Sequence, residues 1–165
     1  MSQKSVRLLI SDTIAALTDN IKFFFATPAD FNSIEDKKDP LARLELLKYK
    51  ASFTSGRQTL LKIYPIEITF YQHDDPNAAE EATMNVLDTV DKYVDEFIRR
   101  LNVFDMPLVN SLSPNIIDPP ISSGNIVISE ISVQPFKKQT SDCLTGYVLT
   151  FNLEVPDDFD YCSIY

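Results

Sequence analysis

The chain has 165 residues, 44% of them hydrophobic and 24% charged, with 15 Lys and Arg against 24 Asp and Glu and a formal net charge of −9. This is the composition of one soluble globular domain and excludes a chain disordered throughout; the acid excess excludes a surface built to grip phosphate backbones. Two cysteines and a single histidine exclude a disulfide framework and a Cys/His zinc cluster, so a reducing, intracellular folding environment is expected.

The opening MSQKSVRLLISDTIAALTDN is interrupted by Arg7, Asp12 and Asp19, so neither a signal peptide nor a membrane span is read there. Val6, Ile10, Ile14, Leu17, Ile21 and Phe24 recur at spacings of three and four, which predicts an amphipathic helix over about residues 4–25 with one buried stripe. Phe23, Phe24 and Phe25 read as core packing at its end rather than as a ligand-binding aromatic cluster. Pro28 stops the helix, and the polar ADFNSIEDKKDP at 29–40 reads as a surface connection.

LARLELLKYKASF fits either a short helix capped by Asp39 with Pro40 first, or a strand. A strand over about Leu44–Thr54 is favoured, because Thr54, Ser55, Gly56 and Arg57 make a turn signal and the strand pattern TLLKIYPIEITFYQ follows. Residues 44–71 thus form a long β-hairpin with its tip at 54–57. Leu61 and Ile63 have the opposite parity to Ile66, Ile68 and Phe70, so the second strand is expected to change face or bulge at Pro65, at an edge or an unpaired stretch.

HDDPNAAEEATMNVLDTVDKYVDEFIRRLN predicts a helix over about 75–101. Asp75 is its N-cap and Pro76 its first residue; Glu80 and Glu81 near the start and Arg99 and Arg100 at the end complement the dipole. Its apolar face includes Val86, Val90, Phe97 and Leu101. Residues 102–125, with four prolines, form a long irregular connection and a candidate contact surface. IVISEISVQPF and TGYVLTFNLEV then predict a closing hairpin over 126–155, the latter with Thr145, Tyr147, Leu149, Phe151, Leu153 and Val155 on one face.

Tests for chemistry return no catalytic, cofactor or metal residues. His73 beside Asp74 and Asp75 invites an acid–base reading, but HDDP reads better as a strand-to-helix turn with a capping aspartate. An enzyme would need His73 or an acidic pair inside a cleft. No serine lies in a GxSxG context, three glycines cannot build a phosphate-cradling loop, and the acidic clusters at 35–39, 74–75 and 156–160 lack EF-hand spacing. An extended strand over 145–155 spans about 35 Å, whereas a disulfide needs Cα atoms within about 7 Å. Cys143 and Cys162 therefore read as thiols, with 156–165 as a docking tail.

The resulting expectation is an α+β fold in the order helix, long β-hairpin, amphipathic helix, β-hairpin, with an antiparallel or mixed sheet and helices packed on one face. Candidate contact residues are Thr54, Ser55, Gly56, Arg57 and Pro65 on the hairpin, Phe104, Met106, Pro119 and Pro120 in the long connection, and Phe159, Tyr161 and Tyr165 in the tail. The pattern, carried by "IYPIEITFYQHDDPNAAEEATMNVLDTVDKYVDEFIRRL" and "LTGYVLTFNLEV", resembles the tail-terminator and tail-completion proteins of tailed bacteriophages over about residues 5–155. The final "PDDFDYC" is similar to the ends of phage neck and tail proteins.

The resemblance implies a non-enzymatic virion protein, assembled in the host cytoplasm, that forms a homo-oligomeric ring at the head-tail joint. That ring is usually a hexamer; the long proline-rich loop departs from the pattern and leaves a dodecameric collar or adaptor open. Its neighbours would be portal or connector and tail proteins, and DNA would pass its channel without specific binding, helped by the negative balance. No membrane and no cofactor enter. The rival reading is an acidic cytosolic binding module or assembly chaperone, in which the loop and hairpin tip would stay free.

Overall fold

Residues 3–26, 40–46, 48–53, 60–105, 127–139 and 143–156 are described by a computed structural model. In chain order they form α1 (Gln3–Ala15), β1 (Lys22–Phe25), β2 (Leu41–Leu46), β3 (Lys50–Phe53), β4 (Leu60–His73), α2 (Glu80–Asp105), β5 (Val127–Ile128), β6 (Ser132–Gln139) and β7 (Leu144–Pro156). The strands make one mixed sheet in the order β1-β2-β4-β7-β5, with β3 also on β4 and β6 also on β7. Both helices pack on the sheet, so the fold is α+β.

The first helix is shorter than its periodicity suggests. Val6, Ile10 and Ile14 are buried from α1, but the helix stops at Ala15, and Lys22–Phe25 is a strand parallel to β2, with Lys22 opposite Leu41 and Phe25 opposite Leu44. Aromatic residues suit a half-buried pleated surface, and alternation separates the three phenylalanines. Phe23 packs on the main core, Phe24 on a second cluster across the sheet, and Phe25 is 44% exposed.

The hairpin is present with a divided first arm. Leu41–Leu46 pairs with Tyr71–Ile66 and Lys50–Phe53 with Ile63–Leu60, so three residues of the arm face two of β4 around Pro65. The expected change of face at Pro65 does not occur. β4 pairs β7 without a break from Leu61–Pro156 to His73–Leu144, and Tyr64 continues the buried row of Ile66, Ile68 and Phe70. Leu61 and Ile63 simply belong to the other face. The tip at 54–57 lies outside the described residues.

α2 begins five residues later than expected. Asp75 caps a turn instead, accepting from the Asn77 amide at 2.8 Å, and its carbonyl accepts from the Ala78 amide at 3.0 Å. The helix opens at Glu80 and Glu81 and runs to Asp105. Arg99 and Arg100 are therefore not in its last turn; they pair one turn back with Asp95 (3.3 Å) and Glu96 (2.8 Å). The face toward the sheet, Leu87, Val90, Val94, Phe97 and Leu101, is buried, and Phe97 meets Phe70 with ring centroids 5.5 Å apart. Such burial contributes about 2 kcal/mol for each large side chain.

The closing hairpin forms with β6 and β7 antiparallel and Leu149, Phe151, Leu153 and Val155 in the core, but its first arm is not the single strand expected from Ile126: β5 and β6 pair β7 as two separate strands. A register shift lies between Phe136 and Gln139, and Lys138 and Cys143 take φ of 47° and 50°. A bulge with left-handed residues turns the chain sharply at this corner.

Candidate functional site: the open face and the two margins of the sheet

Of the expected contact residues, Pro65 and Phe104 fall within described elements. Pro65 is half-buried in a central strand, not at an edge. Asn152, opposite it, turns its N–H and C=O toward Ser129: its amide donates to Ser129 Oγ at 2.7 Å, and its carbonyl accepts the Ser129 amide at 3.0 Å. In an antiparallel ladder this alternation directs the Pro65 nitrogen away from β7, into the pause between β2 and β3, so the proline breaks no ladder bond. Phe104 lies in the last turn of α2, not in the connection. Thr54, Ser55, Gly56, Arg57, Met106, Pro119, Pro120, Phe159, Tyr161 and Tyr165 lie outside the described residues.

The helix-free face carries a polar network that pattern reading missed. Arg43, only 6% exposed, donates from Nε to the Tyr71 hydroxyl at 2.8 Å and forms ion pairs to Glu45 (3.2 Å) and Glu67 (3.1 Å), with Thr69 Oγ1 at 3.4 Å. Glu45 and Glu67 stand directly opposite across β2 and β4, and the shared guanidinium relieves their repulsion. Burial pushes the Tyr71 phenol above its ordinary value, opposed by the Arg43 charge. Beside this network Leu41, Tyr71 and Leu144 form a small apolar cluster with Phe24, Ala26 and Phe136. The visible signal was the alternation Leu41, Arg43, Glu45, in which a charge takes an inward position of a strand.

His73 is half-buried at the end of β4, opposite Leu144. Asp74 is buried and accepts from the Thr145 hydroxyl at 3.1 Å; that hydroxyl accepts the Lys138 amide at 3.0 Å. Lys138 Nζ reaches the Ala78 carbonyl at 3.0 Å, and Lys137 pairs with Glu80 at 3.3 Å. Ala78, Glu80, Thr83, Lys137 and Lys138 line an open cavity of about 260 Å³. Cys143, half-buried, is a free thiol in the turn. Among the described residues no group of three or more His, Cys, Asp or Glu could hold a metal ion, and no helix is long and apolar enough to cross a membrane.

The two margins differ. Even-numbered residues of β7 face β6, so β6 turns Ser132, Gln134 and Phe136 inward and presents Val133, Pro135 and Lys137 along its outer edge. Pro135 removes a donor there and Lys137 adds a charge, two ordinary ways of blunting a sheet edge. In β1 the Lys22 amide donates to Pro40 O at 2.9 Å and the Ala26 amide to Leu44 O at 3.3 Å. Even residues therefore face β2, and the N–H and C=O of Phe23 and Phe25 face outward. Arg7 of α1 lies 4.7 Å over the Phe25 ring, and Lys22 lies 5.5 Å over Phe24. No protein-family model matches this chain, and no curated protein matches its sequence.

Proposed function

We propose that this chain is a structural virion protein of a tailed bacteriophage, forming a ring at the head-tail joint as a tail terminator, tail-completion protein or neck adaptor. The observation that carries the reading is the element order, in which a first helix, a long hairpin, an amphipathic helix and a closing hairpin share one sheet with the helices on one side. The β1 margin supports it, because the outward N–H and C=O of Phe23 and Phe25 have no partner among the described residues and a ring needs one surface that accepts a neighbour. So does the charge: Glu80–Asp105 holds seven acidic and three basic residues, and Asp88, Asp91 and Asp95 are exposed. Turned toward a channel, that helix face repels duplex DNA and lets it pass.

The partners are other copies of the chain, as a hexamer or a dodecameric collar, with portal or connector above and tail proteins below. The location is the virion, after assembly in the host cytoplasm. Light scattering after size-exclusion chromatography, together with the protein composition of purified particles, tests the proposal. A closed ring of defined mass, present in particles, is expected. A protein that stays monomeric at high concentration and is absent from particles sinks it and leaves the binding-module reading.

A further inference from the structure

We infer that the cavity between the start of α2 and the end of β6 binds a single tetrahedral oxyanion, either phosphate or the phosphate end of a small monoester. The inference does not depend on the ring reading. The cavity measures about 260 Å³ and is lined by Ala78, Glu80, Thr83, Lys137 and Lys138. One water needs only about 10–15 Å³, so the space admits a polyatomic group.

The residue that calls for a ligand is Thr83. It is 3% exposed, and its hydroxyl has no hydrogen-bond partner. A threonine inside a helix commonly satisfies its hydroxyl on the carbonyl four residues back. Thr13 does so on Leu9 at 2.7 Å, and Thr89 on Asn85 at 2.9 Å. Thr83 departs from both, and a buried hydroxyl left unpaired is costly. An acceptor seated in the cavity removes that cost.

The helix end supplies further donors. The Ala82 and Thr83 amides both bond the Ala79 carbonyl, at 3.0 and 3.3 Å, which makes Ala79 the N-cap. An alanine brings no side-chain oxygen to that position, and the amides of Glu80 and Glu81 have no partner among the described residues. The positive end of a 26-residue helix thus meets the cavity without its usual acceptor.

Lys138 supplies the charge. Its backbone is left-handed, with φ of 47°, and its Nζ donates to the Ala78 carbonyl at 3.0 Å. That bond occupies one of three ammonium donors and goes to a neutral group, so the charge is left for an anion. Lys137 adds less, because it is already paired with Glu80 at 3.3 Å; the Glu80 side chain is 84% exposed, so the pair is weak. Asp74 is engaged by the Thr145 hydroxyl at 3.1 Å and does not line the cavity. Hydroxyl, ammonium and amide donors on different parts of the wall are met together by oxygens that point in several directions. A tetrahedral oxyanion has them; a planar carboxylate does not.

The test follows the backbone amides of the full chain by NMR during titration with inorganic phosphate, and separately with ribose 5-phosphate, at constant ionic strength with chloride as the control anion. Saturable shifts at Ala78, Glu80, Thr83 and Lys138 are expected from the phosphates and not from chloride. Tighter binding of the sugar phosphate assigns a monoester, and tighter binding of inorganic phosphate assigns the free ion. Thr83→Val and Lys138→Gln should each weaken binding about tenfold, and Thr83→Ser, which keeps the hydroxyl, should restore it. Glu80→Gln should tighten binding about two- to threefold by removing the competing carboxylate. Circular dichroism confirms folding, and either weakening variant that stays folded suffices. Shifts that do not saturate, equal shifts from chloride, or parental affinity in Thr83→Val and Lys138→Gln would overturn the site. The ring reading, tested by mass and particle composition, stands or falls separately.

Discussion

On the helical side of the sheet, Tyr64, Ile66, Ile68 and Phe70 of β4 pack with Val94, Phe97 and Leu101 in one apolar layer. On the other side the same strand presents Glu67, Thr69 and Tyr71 to Arg43, with a smaller apolar cluster alongside. The first face is held by area removed from water, which is indifferent to the direction of contact. The second is held by directed bonds to one guanidinium, whose removal leaves partners unpaired. A single strand with period two thus joins a tolerant face to a specific one.

The largest effect should come from the helical face. Phe97→Ala empties the contact with Phe70 and should cost about 3–5 kcal/mol in chemical denaturation. Arg43→Ala should follow at about 3 kcal/mol, because it strands half-buried Glu45 and Glu67 and the Tyr71 hydroxyl. Arg43→Met keeps much of the side-chain volume but strands the same groups, so it should lose nearly as much; a markedly smaller loss would show that packing, not the guanidinium, holds this face.

Gly146 sits opposite both Tyr71 and Phe136, whose rings meet edge-on at 5.7 Å, and a Cβ there would collide with the Phe70 carbonyl. Gly146→Ala should destabilise by about 1–3 kcal/mol, and an unchanged melting temperature would show that β4 and β7 can part locally. A gentler probe is alkali. The folded Tyr71 phenol titrates above its unfolded value of 10.0, so its contribution is complete below that pH and is lost as pH rises through the higher folded value. Tyr71→Phe should flatten the alkaline fall in stability; if both proteins lose stability in parallel, Tyr71 is not its source.

The smallest effect should be at Glu96. It accepts from the Thr18 amide and hydroxyl and from Arg100, joining the turn after α1 to α2. Hydrogen bonding from Arg100 is the leading cause that holds its carboxyl below the ordinary value of 4.5. Its contribution is present above that pH and is lost as pH falls through the lower folded value. Glu96→Gln should therefore matter little in acid and measurably at neutral pH, read by thermal melts across that range.

Much of the fold was legible because its signals are local. The long strand through Ile66, Ile68 and Phe70, the α2 stripe, and the alternation of Leu149, Phe151, Leu153 and Val155 each repeat with the period of their element. The misreadings share a cause. Phe23–Phe25 continued a helical spacing by coincidence, and pairing with β2 made them a strand. Pro65 looked like a break, but its missing N–H falls where no partner is required. The candidate site was less legible still, since an edge is defined by what does not pair with it, and no residue type announces that.

The sequence by itself determined the class, the order of the two helices and the long strands β4 and β7, and the acidic character of α2, because propensity, periodicity and charge are properties of neighbours in the chain. Only the tertiary structure decided that β1 joins the sheet in parallel, that Arg43 lies between two glutamates, and that the β6 margin is blunted by Pro135 and Lys137. Those features depend on residues well separated in the chain, such as Lys22 with Leu41 and Arg43 with Glu67, meeting at one register, and register is set by how the whole sheet buries its faces.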